Sequence, residues 1–258
     1  MVIQYASDLH LEFADNWRFL KEHPFEVMGE ILVLAGDIGY LGDENYSKHP
    51  FWDFVSENYR EVLVVPGNHE FYKFYDIAKL KDGLLLEVRP NVKVFYNDVI
   101  RIGDVDIIMS TLWGRISLQD AFVTETGVTD FRRILYKDEH LTYDSFNQEH
   151  KRCMAFLKKA CRESTAAHQV IITHHLPSFQ LQYEGFKGSR INGAFVADED
   201  DFIESCGAEY WVYGHSHKNI SKVIGQTQFV SNQLGYVFSG EHVHFKLSAV
   251  FQIGSPIG

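Results

Sequence analysis

Val62-Leu63-Val64-Val65 runs straight into Gly67-Asn68-His69-Glu70, and this short stretch decides how the 258-residue chain is read. Four apolar residues in a row, without polar alternation, suit a strand buried on both faces. The run ends in a glycine, an amide, an imidazole and a carboxylate. Four other runs behave alike. Val2-Ile3-Gln4-Tyr5 leads to Ser7-Asp8-Leu9-His10, and Ile31-Leu32-Val33-Leu34 to Gly36-Asp37. Val170-Ile171-Ile172 leads to His174-His175, and Tyr210-Trp211-Val212-Tyr213 to Gly214-His215-Ser216-His217. Doubly buried strands need helices on either side, so the chain is α/β.

The segments between support this. Residues 51–60 and 144–163 are predicted helices. In the second, Phe146, His150, Cys153, Leu157 and Ala160 share one face, with Asp144 or Ser145 as N-cap. Lys158, Lys159 and Arg162 sit near its C-terminal end, where cations are favoured. Val92 to Met109 reads as an antiparallel meander with turns at Asn97-Asp98 and Gly103-Asp104. Similar strands and turns follow His217 through Ile220–Val223 and Thr227–Val230 to Phe251. No repeat or linker divides the chain, so residues 1–258 are expected to form a single domain. Residues 111–145 are the least periodic, and a long surface excursion is expected there, where specificity usually resides.

Composition narrows the function. With 45% hydrophobic and 14% aromatic residues the chain can bury a full core, which excludes wholesale disorder. Lys and Arg number 24 against 35 Asp and Glu, a net charge of -11, which argues against a broad duplex-binding face. No apolar run approaches the roughly 18 residues that span a bilayer, so no membrane partner is expected. The start, MVIQYASDLH, lacks the basic region of a signal peptide. Cys153, Cys161 and Cys206 are scattered and odd in number, so a reducing cytoplasm is expected and a disulfide framework is not.

The strand-end residues carry the chemistry. In α/β sheets ligands bind beyond the carboxyl ends of strands, so the five clusters should converge. Carboxylates with imidazoles suit Mn, Fe, Zn or Co better than Mg or Ca. Two Asp, one Asn and four His exceed the needs of one ion. Asp37 could bridge two, and the seven side chains would then fill two sites with positions left for water. Among the 13 histidines, His23, His49, His140, His150, His168, His242 and His244 lack such context and read as packing or surface residues.

Taken in order, Asp8-X-His10, Gly36-Asp37, Gly67-Asn68-His69-Glu70, His174 and Gly214-His215-X-His217 resemble the calcineurin-like metallophosphoesterases. The resemblance runs from residue 7 to about 217. It implies a four-layer αββα sandwich with mixed β-sheets and two divalent transition-metal ions, Mn, Fe or Zn, between the sheets. Asp8, His10, Asp37 and His217 would hold one ion, and Asp37, Asn68, His174 and His215 the other. His69 matches the histidine that contacts phosphate and can protonate the leaving group, and His175 would be a supporting or substrate-facing residue. A hydroxide bridging the two ions would attack a phosphomonoester or phosphodiester.

One departure is clear. Protein phosphatases of this family read Gly-Asp-X-X-Asp-Arg at the second motif, where this chain reads Gly36-Asp37-Ile38-Gly39-Tyr40-Leu41. The carboxylate that would orient His69 and the arginine that would grip phosphate are missing there. Asp43 and Glu44 are the nearby acids that could take the first role, and Arg115, Arg132 and Arg133 are candidates for the second. A Ser/Thr protein phosphatase is therefore not the expected activity. The acidic balance favours a small or local phosphoester. A nuclease or nucleotide phosphodiesterase on the same scaffold would need a basic groove, which the sequence does not display. An amidohydrolase barrel would carry its His-X-His on the first strand, not near the C-terminal end. A non-catalytic protein-binding scaffold would have lost a ligand or His69, and all are present.

Overall fold

The computed structural model describes residues 1–254. Strands Val2–Ala6, Ile31–Ala35, Glu61–Val65 and Val92–Tyr96 lie side by side and parallel. Val250–Gln252 and Gly83–Arg89 close the two edges of this six-stranded sheet in antiparallel fashion. A second six-stranded sheet has the parallel core Thr227–Val230, Tyr210–Val212, His168–Thr173 and Val105–Ser110. Its antiparallel edges are Lys222–Ile224 and Asp98–Ile102.

Side-chain alternation along a strand explains why the apolar runs are unbroken. Ile31, Val33 and Ala35 face the other sheet, where they meet Ile107, Met109, Val170 and Ile172 in one buried cluster. Leu32 and Leu34 face outward, onto Phe51, Trp52 and Val55 of helix Pro50–Asn58. On the far side Ile108, Ile171 and Trp211 pack against Met154 and Leu157 of helix Tyr143–Glu163. The layers are therefore α, β, β, α, as the family resemblance implied. Each fully buried Leu or Ile contributes roughly 1.5–3 kcal/mol, so the two sheets form a rigid frame for the loops at their ends. No described helix is long and apolar enough to cross a membrane.

Three local expectations change. Thr142, not Asp144 or Ser145, caps the long helix: its hydroxyl accepts from Ser145 N–H while Ser145 Oγ accepts from Thr142 N–H, a reciprocal capping box. The predicted meander divides between the sheets. Val92–Tyr96 joins the first and Asp98–Ile102 the second, with the chain crossing over at Asn97, which has φ 50. A turn dipeptide marks where a strand stops but not which sheet the next one joins. Residues 111–145 are more regular than expected. They hold helices Ala121–Gly127 and Asp130–Arg133, and strands Ile134–Tyr136 and Glu139–His140 pair into a small sheet with Tyr75–Asp76. Phe71, Trp113, Phe131 and Phe146 form the core beneath.

Candidate metal centre

Strands Val2–Ala6, Ile31–Ala35 and Glu61–Val65 are neighbours in the first sheet, and His168–Thr173 and Tyr210–Val212 are neighbours in the second. Their carboxyl ends therefore open onto one crevice between the sheets. Asp8, His10, Asp37, Asn68, His174 and His215 are buried there, and His217 closes the outer side. Asp8 spans the gap directly: its carboxylate accepts the N–H of His215 from the opposite sheet at 3.0 Å. Asp8, His10, Asp37, His215 and His217 all have φ between 47° and 74°. The left-handed region costs a non-glycine residue roughly 1–2 kcal/mol. Such strain survives only where the surroundings impose it, and it clusters at functional sites. Tight loop contacts impose it here: Asp8 N–H donates to Gly36 O and His10 N–H to Asp37 O, each at 2.9 Å.

Two side-chain groups form on either side of Asp37. On one, His10 Nε2 lies 3.0 Å from His217 Nε2 and 3.8 Å from Asp37 Oδ2, with Asp8 Oδ1 3.4 Å from His217 Nε2. On the other, His174 Nε2 lies 3.1 Å from His215 Nδ1, 3.0 Å from Asn68 Oδ1 and 3.4 Å from Asp37 Oδ1. Asp8, His10 and His217 make one candidate set and Asp37, His174 and His215 another, all donor atoms of a set lying within 4.8 Å of one another.

The tautomers bear on what fits between these atoms. His10 Nδ1 is 3.1 Å from Glu12, His217 Nδ1 is 2.6 Å from Glu241 and His174 Nδ1 is 2.8 Å from the Ala35 carbonyl. Each acceptor requires an N–H at Nδ1, so in the neutral rings Nε2 carries a lone pair. His215 has the reverse arrangement, with Nε2 donating to Ala194 O at 3.3 Å. In the neutral rings lone pairs would thus face one another at about hydrogen-bond distance in both groups, a contact relieved by a proton or a metal ion between them. Electrostatics agrees. Burial opposes protonation of His174 and His217, yet Asp37 beside the first and Asp8 and Glu241 beside the second raise them to about 9 and about 10. His215 stays neutral, held well below its ordinary range by burial and by His174. This donor set fits divalent transition-metal ions.

Glycines make room for the crossing loops. A Cβ at Gly67 would fall onto Asp37 Oδ1 and within 2.7 Å of His174 Cε1. Gly36, at φ 87, faces His174 in the same way. Glu70 ties the loops together, its carboxylate accepting N–H groups from Gly67, Asp37, Ile38 and Gly39. Burial and the Asp37 charge push Glu70 up to about 7, while those donors pull the other way.

His69 also sits at this crevice, its N–H donating to Asp37 Oδ1 and its ring stacked on Tyr72 at 4.3 Å. Its orienting acid is neither Asp43 nor Glu44. Asp43 is bound to Lys73 and Asn45 N–H, and Glu44 points to solvent. Glu12 takes the role, its Oε1 accepting from His69 Nδ1 at 2.8 Å. Burial opposes a charge on His69, but Asp37 and Glu12 outweigh it and raise its pKa.

Other expected residues lie elsewhere. His175 is fully buried behind His215, with Nδ1 3.2 Å from Thr111 O and its ring against Trp113, and it does not line the cavity. Arg132 is exposed and donates to Thr126 O at 2.8 Å. Arg133 lies over the rings of Tyr72 and Tyr40, at 4.6 and 5.2 Å, one layer behind His69. Arg115 faces a different cavity beside Lys158 and Glu199. Sequence reasoning missed Glu12, Glu241 and Asp130. Asp130, from the 111–145 segment, is buried and accepts from Asn68 Nδ2 at 2.9 Å and Tyr72 OH at 2.7 Å. Only Glu12 left a signal, two residues beyond His10.

Known proteins share this fold. Residues 1–219 match the family described as calcineurin-like phosphoesterase. The chain is 27% identical over 262 residues to protein L509 of Acanthamoeba polyphaga mimivirus, covering 91% of each. A phosphopantetheinyl hydrolase from Mycobacterium tuberculosis superposes with TM-score 0.66 at 15% identity, over 98% of this chain and 95% of that one. The protein TT1561 of Thermus thermophilus superposes with TM-score 0.52 at 13% identity, over 90% and 88%. At these identities the solved structures speak for the fold alone.

Proposed function

The chain belongs to the calcineurin-like phosphoesterase family, and on that basis we propose that it hydrolyses a small phosphomonoester or phosphodiester with two divalent transition-metal ions. The observation that carries this reading is Asp37, whose Oδ2 faces His10 and whose Oδ1 faces His174. Asp8, His10, His217 and Asp37 Oδ2 would hold one ion; Asp37 Oδ1, Asn68 Oδ1, His174 and His215 Nδ1 would hold the other. Bound there, such ions supply Lewis-acid polarisation of the phosphoryl group and acidify a water nucleophile.

The protein's own groups do the rest. Glu12, Glu241 and the Ala35 carbonyl fix the imidazole tautomers, so the donor atoms need no reorganisation. Glu12 holds His69 Nδ1, leaving Nε2 as the atom able to contact a phosphoryl oxygen or give a proton to the departing one. Asn68 is a neutral donor, which limits the negative charge in a site already carrying Asp8 and Asp37. A cytoplasmic setting accords with three free cysteines, of which Cys153 and Cys206 are buried.

The test is an assay of the metal-reconstituted protein on p-nitrophenyl phosphate and bis(p-nitrophenyl) phosphate, before and after chelation. Metal-dependent release of p-nitrophenolate is expected from at least one; none from either removes the reading.

A further inference from the structure

The cavity at the metal centre is larger than a phosphate requires. It encloses about 420 Å³, within the range of small-molecule sites, and it is continuous from Asp37, Asn68, His69, His215 and His217 outward. Its outer lobe has a different chemistry. Val128, Ile191, Leu176, Phe195, Tyr183 and Phe186 make most of its wall, with the hydroxyls of Thr129, Ser189 and Ser216 between them. Phe195 stacks on His215 with ring centres 4.6 Å apart, so the apolar wall begins at the metal site itself.

Charged groups on this wall are few and mostly engaged, although Asp130 Oδ2 is buried without a hydrogen-bond partner among the described residues. Glu241 accepts from His217 Nδ1 and Tyr236 N–H. Asp130 Oδ1 accepts from Asn68 and Tyr72, and the Lys218 ammonium lies over the Tyr183 ring at 5.4 Å. The neutral amides of Gln182 and Asn192 both donate to the Phe186 carbonyl. At the rim Tyr183 and Phe186 are 46% and 44% exposed, apolar surface that a bound ligand would cover.

We propose that the phosphoester taken by this site carries an uncharged, largely apolar organic group, bound in the lobe between Val128, Leu176, Phe186, Ile191 and Phe195. The proposal rests on the phosphoesterase reading above and adds the substrate class. A polyol group would bring several hydroxyls to a mostly apolar wall, where Thr129 and Ser189 could meet some of them, and burying an unpaired hydroxyl is costly. A phosphopeptide or oligonucleotide chain would bring further charges. A nucleobase has a flat face that suits Phe195, but its polar edge would meet the same mostly apolar wall.

Competition by simple phosphates tests this without deciding between monoester and diester. Metal-loaded full-length protein hydrolyses whichever p-nitrophenyl ester it accepts while n-hexyl phosphate, glycerol phosphate or adenosine monophosphate is added. Apolar contacts discriminate by roughly tenfold or more per well-buried group. The hexyl ester should therefore inhibit at least about tenfold more tightly than glycerol phosphate, and more tightly than the nucleotide. Phe186→Ser, at a half-exposed position where folding is safe, and Ile191→Asn should each shrink the hexyl-to-glycerol ratio by about threefold or more. Equal inhibition by hexyl and glycerol phosphates, or a ratio unmoved by both substitutions, overturns the proposal while leaving the phosphoesterase intact. Tightest inhibition by the nucleotide overturns it in favour of a base-binding lobe. If neither chromogenic ester is hydrolysed, the phosphoesterase reading falls and takes the proposal with it.

Discussion

Glu12 Oε1 lies 2.8 Å from His69 Nδ1 and accepts a hydrogen bond from it, and the same oxygen is 3.1 Å from His10 Nδ1. One buried carboxylate thus orients both the histidine proposed to meet the phosphoryl group and a histidine proposed to hold an ion. It replaces, from the first loop, the acid that the family's protein phosphatases carry in the second motif. Glu12→Gln keeps the size but removes the charge that selects the Nδ1–H tautomer. Turnover of an alkyl phosphoester should fall roughly 10–100-fold. Steady-state kinetics beside Asp43→Asn, whose carboxylate serves only Lys73 and Asn45, checks it; equal activity of the two variants would deny Glu12 its role.

Asp37 is the shared ligand of the proposed pair, so metal analysis after dialysis in Mn-containing buffer should give about two ions per chain. Asp37→Asn should lower content and turnover together. A wild-type value of one or zero removes the dinuclear reading, and full content in Asp37→Asn removes the bridge.

His69→Asn separates proton donation from positioning. General acid catalysis typically supplies roughly 10²–10⁴-fold, and an alkoxide needs that proton where p-nitrophenolate does not. The loss should be much larger on an alkyl ester than on a p-nitrophenyl ester, with both ions still bound. Equal losses would make His69 a phosphate-positioning group.

Gly67→Ala introduces a methyl group where Asp37 Oδ1 and His174 already stand. Overpacking of this kind costs roughly 1–3 kcal/mol and displaces two proposed ligands. A lower melting temperature and reduced metal content are expected from calorimetry and elemental analysis. Gly42→Ala, whose Cβ would come no nearer than 3.5 Å to Tyr72 O, should match the wild type in both.

Asp130 holds the amide of Asn68 so that Oδ1, the only metal-binding atom of that side chain, faces His174. In Asp130→Ala the amide loses the acceptor that sets its orientation. Metal content should fall toward one ion, measured by elemental analysis, while the far-UV spectrum stays unchanged. Two ions retained would mean that Asn68 needs no such guide.

Much of this was legible along the chain. Strands, long helices and the five polar strand ends follow from local pattern, because a doubly buried strand must be apolar at every position and must end where polar groups begin. Singling out Asp8, His10, Asp37, Asn68, His174, His215 and His217 among the strand-end residues as the ligand set came from the family resemblance. The αββα order came from the family resemblance. What stayed hidden were partners joined by folding. Asp130 is 62 residues from Asn68 and Glu241 is 24 from His217, and neither stands in a pattern that names its partner.

Burial and alternation act residue by residue, so the order of amino acids alone settles which side chains stand at the strand ends. Folding in three dimensions is what assigns Glu12 to His69, turns Arg132 to Thr126 and sets an apolar lobe beside the metal centre. Those outcomes depend on how loops from two sheets and the 111–145 segment meet in space. Hydrogen bonds and packing contacts act over about 3–4 Å, whatever the separation along the chain.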